Sequence, residues 1–210
     1  MTIKRSARRA VGRVLLGLTR FRLVGAEVTE PRAIFIGAPH TSNLDFLVML
    51  GIAFSQDLHP HVLIKDSYFQ GPKARIFRAL GGIPVDRANP EGLVADLIER
   101  SRAGESFHLV ITPEGTRSRG ETWRSGFYRI ARDADLPVML GYLDSVTRTT
   151  GLGPTLHLTG DIGADMDRIR DFYADKAGIH PEKFTPPKLA SETPDDAPAA
   201  GSSGSPRPLT

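Results

Sequence analysis

The chain has 210 residues, 40% of them hydrophobic and 24% charged, which suits one globular domain with a sizeable core. It contains no cysteine, so disulfides, a thiolate nucleophile and Cys-based metal sites are excluded. The net charge is only +3, but Lys4, Arg5, Arg8, Arg9, Arg13, Arg20 and Arg22 stand against Glu27 and Glu30 in the first 30 residues, so the basic excess is N-terminal.

Residues 3–20 read as an amphipathic helix: Ala7, Ala10, Val11, Val14, Leu15 and Leu18 share one stripe, and Arg5, Arg8, Arg9, Arg13 and Arg20 fall largely opposite. Two readings stand side by side. One is an interfacial helix on an anionic membrane surface, and the other a helix packed on its own domain with a solvated charged face. Without interleaved aromatics or a recognisable module, no nucleic-acid partner is expected. No apolar run approaches the roughly 20 residues of a spanning helix, and Val14 to Leu18 is too short and too closely flanked by Arg for a signal peptide. The protein is expected to lie on a membrane without crossing it.

Further along, Phe21 to Val28 reads as a short strand and Ala33 to Gly37 as a buried one, with an apolar helix over Phe46 to Phe54. His61 to Lys65 is the next strand, followed by a helix from Gly71-Pro72 to about Leu80 and a short extended piece, Ile83 to Arg87. Asn89-Pro90 is a cap followed by a first-turn proline, and Leu93, Val94, Leu97 and Ile98 continue that helix to Gly104. Strands are expected at Phe107 to Thr112, Pro137 to Leu143 and Thr155 to Leu158, and helices at Gly126 to Ala134 and Asp165 to Ala177. Strands alternating with helices predict an α/β fold: a single layered domain whose mostly parallel sheet is flanked by helices, with the N-terminal amphipathic helix added. The expected division is a basic helix and first strand over 1–30, the main domain over 31–185, and a disordered Pro/Ser/Gly-rich tail over 186–210.

Three polar clusters follow predicted strands, where open α/β sheets place ligands: His40-Thr41-Ser42-Asn43-Leu44-Asp45, Asp86-Arg87, and Glu114 to Arg119. In the first, a turn into a helix capped by Ser42 or Asn43 brings an imidazole to a carboxylate, a base and its orienter. The plainer reading makes Asp45 an early-turn acid favoured by the helix dipole. Arg87 and Arg117 offer forked donors to a phosphate, Gly115 admits a close approach and Thr116 adds a hydroxyl. Glu114 is available to steady an Arg or bind a substrate hydroxyl. The plainer alternatives are an Asp86–Arg87 surface pair and an ordinary polar turn. Trp123 and Phe127, four apart, line a pocket or, as the preferred reading, share a core-facing helix side. His59, His61, His108, His157 and His180 lack motif and spacing and are read as structural or surface residues.

Taken in order, His40-x4-Asp45, Gly82-Ile83-Pro84-Val85-Asp86-Arg87 and Pro113-Glu114-Gly115-Thr116-Arg117-Ser118 resemble the motifs of the glycerolipid acyltransferase family typified by lysophosphatidate acyltransferases. Leu136 to Leu140 resembles a weaker fourth block. The resemblance implies acyl transfer from acyl-CoA, or an acyl carrier protein, to a lysophospholipid hydroxyl, with lysophosphatidate as favoured acceptor and another lysolipid or an amino-acid-containing lipid as alternative. It implies His40 as general base, Asp45 as its orienter, and Arg87, Glu114, Gly115, Thr116 and Arg117 as the holders of the acceptor's phosphate.

An alcohol attacking a thioester needs a base but no covalent enzyme intermediate, so the missing Cys and Gly-x-Ser-x-Gly elbow raise no difficulty. No metal and no cofactor beyond the thioester co-substrate is expected. Thr112, Gly141 and the Trp123-Arg124-Ser125-Gly126-Phe127 segment depart from the family pattern, all in substrate territory. The expected location is peripheral, on the cytoplasmic face of the cell membrane. From other classes, a lipid-binding module without catalysis and a metal-assisted phosphoester hydrolase using His40, Asp45 and Glu114 stay open.

Overall fold

A computed structural model describes residues 2–25, 27–58, 60–71, 73–79, 81–85, 92, 95, 98–99 and 103–192, with backbone alone at 2–5, 64–66, 68 and 85. Its seven strands are β1 (Arg22–Val24), β2 (Arg32–Ala38), β3 (Pro60–Lys65), β4 (Gly82–Val85), β5 (Phe107–Ile111), β6 (Val138–Asp144) and β7 (Thr149–Leu156). They form one sheet in the order β1-β7-β6-β2-β5-β3-β4, parallel at every pairing except β6 with β7. Among the described residues the helices are α1 (Thr2–Thr19), α2 (Leu44–Ser55), α3 (Lys73–Ala79), α4 (Gly126–Asp133) and α5 (Ile162–Tyr173). This is the expected α/β layering.

The central strand β2 is an almost continuous apolar run because both its faces are covered. Successive side chains point to opposite faces. Ile34 and Ile36 join a core with Phe127, Ile130, Met166 and Ile169 of α4 and α5. Ala33 and Phe35 join a second core with Ala53 of α2, Leu58, Val110 and Leu152. The sheet is thus sandwiched between α2 on one side and α4 with α5 on the other.

α1 packs chiefly on α2 and meets the sheet only at one corner, where Leu16 joins Leu143 of β6. A Cβ on Gly12 would sit 2.4 Å from the Ser55 backbone nitrogen, and one on Gly51 would sit 2.8 Å from the Leu16 side chain, so two glycines set the close crossing. Leu16 and Phe21 form a small core with Val48 and Leu143, and the Arg8 guanidinium lies over the Phe54 ring and donates to the Leu58 carbonyl at 2.6 Å. The face that packs is therefore centred on Gly12, Leu16 and Thr19. Val11, Val14 and Leu18 of the expected stripe stay exposed, Leu18 at 76%.

Several boundaries differ from expectation: the first strand is only Arg22–Val24, the last helix runs Ile162–Tyr173, and two further differences have a visible cause. The strand expected at Thr155 to Leu158 begins at Thr149, because Gly151 lets β1 come so close that a Cβ there would lie 1.9 Å from the Val24 carbonyl oxygen. The tail expected to be disordered from residue 186 is ordered through Glu192. Trp123 donates its backbone N–H to the Lys188 carbonyl at 2.7 Å, Leu189 is 1% exposed, and Arg170 meets Glu192 at 2.5 Å. Residues 193–210 lie outside the described residues, as do Asn89, Pro90, Leu93, Val94 and Leu97 of the helix expected before Gly104.

Candidate active site

The end of β2 delivers His40 and the first turn of α2 delivers Asp45. The Asp45 carboxylate folds back over the turn: Oδ2 accepts the backbone N–H groups of Thr41 at 2.7 Å and Ser42 at 2.8 Å, and lies 3.4 Å from His40 Nδ1. Asp45 is therefore both the cap of the loop and the neighbour of the imidazole. Asn43 occupies the N-cap position without a side-chain cap bond, while Ser42 Oγ accepts from Leu44 N–H at 3.2 Å. The expected Asn or Ser cap is largely superseded, because a first-turn carboxylate takes two donors at once. Asp45 Oδ1 is buried and has no hydrogen-bond partner among the described residues.

Glu114, at the end of β5, is 4% exposed and turned into the protein. Its Oε1 accepts the backbone N–H of His40 at 2.5 Å and its Oε2 that of Thr185 at 3.0 Å. Burial pushes this carboxyl above its usual range, while the two backbone donors and His40 pull it down. The structure thus makes Glu114 a bracket between the His40 loop and a C-terminal strap, residues 180–192. Each of its two oxygens accepts from backbone, so the carboxylate ties two segments of the chain together whatever else it binds. The strap also bonds the first motif directly, His180 N–H donating to Thr41 Oγ1 at 3.1 Å.

Gly115 turns the chain with φ +67° and its N–H donates to the Thr112 carbonyl at 3.0 Å. Thr116 is exposed, its hydroxyl accepting from Ser118 N–H at 3.3 Å. Arg117 is exposed as well. Arg87 and Asp86 follow the last residue of β4 and lie outside the described residues. Trp123 is core: 2% exposed, its indole N–H on the Thr185 carbonyl at 2.7 Å and its ring edge-on to Phe127 and Tyr173. Phe127 is fully buried in the same core, and one side of it lines the cavity described next. Of the other histidines, His108 stacks on Phe35 at 4.9 Å and pairs with the Glu30 carbonyl at 2.8 Å, and His180 faces Glu182 at 3.8 Å; His59 lies outside the described residues.

His40, Asp45, Gly115 and Arg117 all line one cavity of about 930 Å³, within the range of ligand sites. Its floor is apolar and runs between α2 and the sheet, past Met49, Ile52, Leu58, Val62, Val110 and Leu152. Its mouth carries Arg117, Arg124 and Arg129. Arg124 belongs to the Trp123–Phe127 segment that departs from the family pattern, whereas Arg129 and the floor carry no sequence motif. The floor is assembled from four strands and a helix, and it leaves no local signature. Thr112 and Gly141, two departures from the family pattern, also line the cavity. Among the described residues no group of three or more His, Asp or Glu is disposed to hold a metal ion.

The chain meets known proteins at two levels. The family model described as Acyltransferase matches residues 20–139, more than half of the chain. No curated protein matches the sequence. Among solved structures, the fold is similar to the crystal structure of the 1-acyl-sn-glycerophosphate (LPA) acyltransferase PlsC from Thermotoga maritima, with a TM-score of 0.57 and 17% identity over 82% of this chain and 76% of that one. At that identity the likeness is one of fold. The span of the family match, enclosing His40, Asp45 and the third motif around one cavity, establishes that the chain belongs to the acyltransferase family.

Proposed function

We propose that the protein moves a fatty acyl group from an acyl-CoA or acyl carrier protein thioester to the free hydroxyl of a lysophospholipid, with lysophosphatidate as the favoured acceptor. The observation that carries this reading is the His40–Asp45 pair, 3.4 Å apart, standing between an apolar cavity floor and a cationic mouth. Asp45 holds the Nδ1 side of the ring, which leaves Nε2 to take the proton of the acceptor hydroxyl. The hydroxyl oxygen then attacks the thioester carbonyl. Collapse of the tetrahedral intermediate breaks the C–S bond and the departing thiolate takes the proton from His40, so ester and free thiol are the products. The apolar floor suits the acyl chain, and Arg117, together with Arg87 of the second motif, suits the acceptor's phosphate. Gly115 supplies backbone at that position and Thr116 a hydroxyl beside it.

The same reading places α1 on an anionic membrane surface, cytoplasmic and peripheral. No helix among the described residues is long and apolar enough to cross a membrane. Val11, Val14 and Leu18 present an exposed apolar stripe, with Arg9 and Arg13 exposed on the helix's other side. A second reading of the acceptor, another lysolipid or an amino-acid-containing lipid, is favoured by Thr112 and Gly141 lining the cavity where they depart from the family pattern.

The test is to mix the purified full chain with palmitoyl-CoA and a panel of lysolipids and follow free CoA with a thiol reagent, against which a protein without cysteine is silent. Lysophosphatidate is expected to give the largest acceptor-dependent release. Preference for another lysolipid selects the second reading, and release that no acceptor stimulates refutes both.

A further inference from the structure

Arg117 belongs to the third motif, but two further guanidiniums share the cavity mouth with it, and no motif accounts for them. Arg124 donates its backbone N–H to the Pro113 carbonyl at 2.8 Å, which fixes it beside the third motif. Its side chain lies across Gly115 so closely that a Cβ there would stand 2.3 Å from Arg124 Nε. The glycine of the third motif therefore makes room for an arginine from the next segment. Buried neighbours clamp that segment on both sides, Trp123 at 2% exposure and Phe127 at 0%. Arg129 sits on α4, where Phe127, Tyr128 and Ile130 face inward and leave Arg129 outward at the mouth.

Elsewhere in this half of the chain, Arg132 donates to the Leu158 carbonyl at 3.0 Å and Arg170 binds Asp167 and Glu192. Among the described residues neither Arg117, Arg124 nor Arg129 forms an ion pair. Asp45 is the one carboxylate among the residues lining the cavity, and it is occupied with the His40 loop. Three exposed cations lining one cavity invite a multiply charged anion, and planar guanidinium forks match phosphate oxygens.

Resting on the acyltransferase reading, we infer that Arg124 and Arg129 complete, with Arg117, a phosphomonoester subsite at the cavity mouth. The chemistry is shared by two groups of the reaction: the headgroup of lysophosphatidate and the 3′-phosphate of a CoA donor.

The test uses the full chain and its Arg124→Gln, Arg129→Gln and Arg124→Lys variants. Calorimetric titration with sn-glycerol 3-phosphate and with adenosine 3′,5′-bisphosphate reads binding without turnover. Each Gln variant is expected to weaken the relevant probe about 10- to 100-fold, with Arg124→Lys intermediate because it keeps charge and loses the fork. In parallel, a fall in the kcat/KM ratio for lysophosphatidate over monoacylglycerol assigns the subsite to the acceptor. A fall in the ratio for palmitoyl-CoA over S-palmitoylpantetheine assigns it to the donor. Binding of both probes and both ratios at parental values overturns the subsite while leaving the transferase reading in place. If no acceptor is acylated at all, probe binding lost in the Gln variants keeps the subsite and removes the transferase reading.

Discussion

Replacing Glu114 by Ala separates a positioning carboxylate from a substrate-binding one. In the structure this side chain is the acceptor for two backbone N–H groups, those of His40 and Thr185, from a site 4% exposed to solvent. Alanine leaves both donors buried without partners, at about 1–3 kcal/mol each, so the expected loss is about 4 kcal/mol. For a chain of this length that corresponds to a Tm lower by roughly 8–16 °C. Glutamine keeps one acceptor oxygen and removes a charge whose burial is already unfavourable, so Glu114→Gln is expected to lose only about 1–2 kcal/mol. Urea unfolding of parent, Gln and Ala forms measures the series. With the His40 loop released, acyl transfer in the Ala form falls through kcat rather than through the acceptor KM. Parental stability in Glu114→Ala combined with a raised acceptor KM would show that the carboxylate contacts substrate, and the bracket would be refuted.

Other expectations follow from the same contacts. Asp165, fully buried, accepts from Thr159 N–H and hydroxyl, Gly160 N–H and Tyr128 hydroxyl. Burial raises its pKa, but these donors outweigh it and hold it below the ordinary 3.8. Its contribution is therefore complete above 3.8 and is lost as pH falls through the depressed native value. Asp165→Asn is expected to cost about 3 kcal/mol at neutral pH and to flatten that acid slope, and an unchanged slope in acid titrations of stability would count against the network. Gly12→Ala drives a methyl into the Ser55 backbone and is expected to cost about 1–3 kcal/mol, whereas Gly51→Ala meets only the movable Leu16 side chain and costs less; equal Tm values would dismiss the close crossing. Val14→Glu and Leu18→Glu, at 60% and 76% exposure, should each weaken co-sedimentation with anionic vesicles about tenfold or more without lowering Tm. Undiminished co-sedimentation would remove α1 from the membrane.

Some of this was legible before any coordinates, and the reason is locality. His40 and Asp45 are five residues apart, so one turn suffices to join them, and β2 announces itself as an apolar run because both its faces are covered. Glu114 shows the opposite case. Its motif is visible in the sequence, but its partner Thr185 lies 71 residues away, and no pattern around Glu114 points there. The C-terminal strap differs for a related reason: its Pro- and Ser-rich composition indicates disorder, while its order comes from Leu189 reaching the core beside Trp123 and from the Arg170–Glu192 pair. The apolar stripe of α1 was seen, but its packing face was not, since glycine carries no hydrophobic signal and close helix approach depends on it. The cavity floor needs β2, β3, β5, β7 and α2 together, which only tertiary packing supplies.

The most direct measurement is acceptor-dependent release of CoA from palmitoyl-CoA by the parent and by His40→Ala, with the diacyl product identified by mass spectrometry. With His40 as the base, the variant retains its fold by circular dichroism and loses at least about 100-fold in rate, and its diacyl product falls in step. Transfer by His40→Ala at the parental rate would contradict the account.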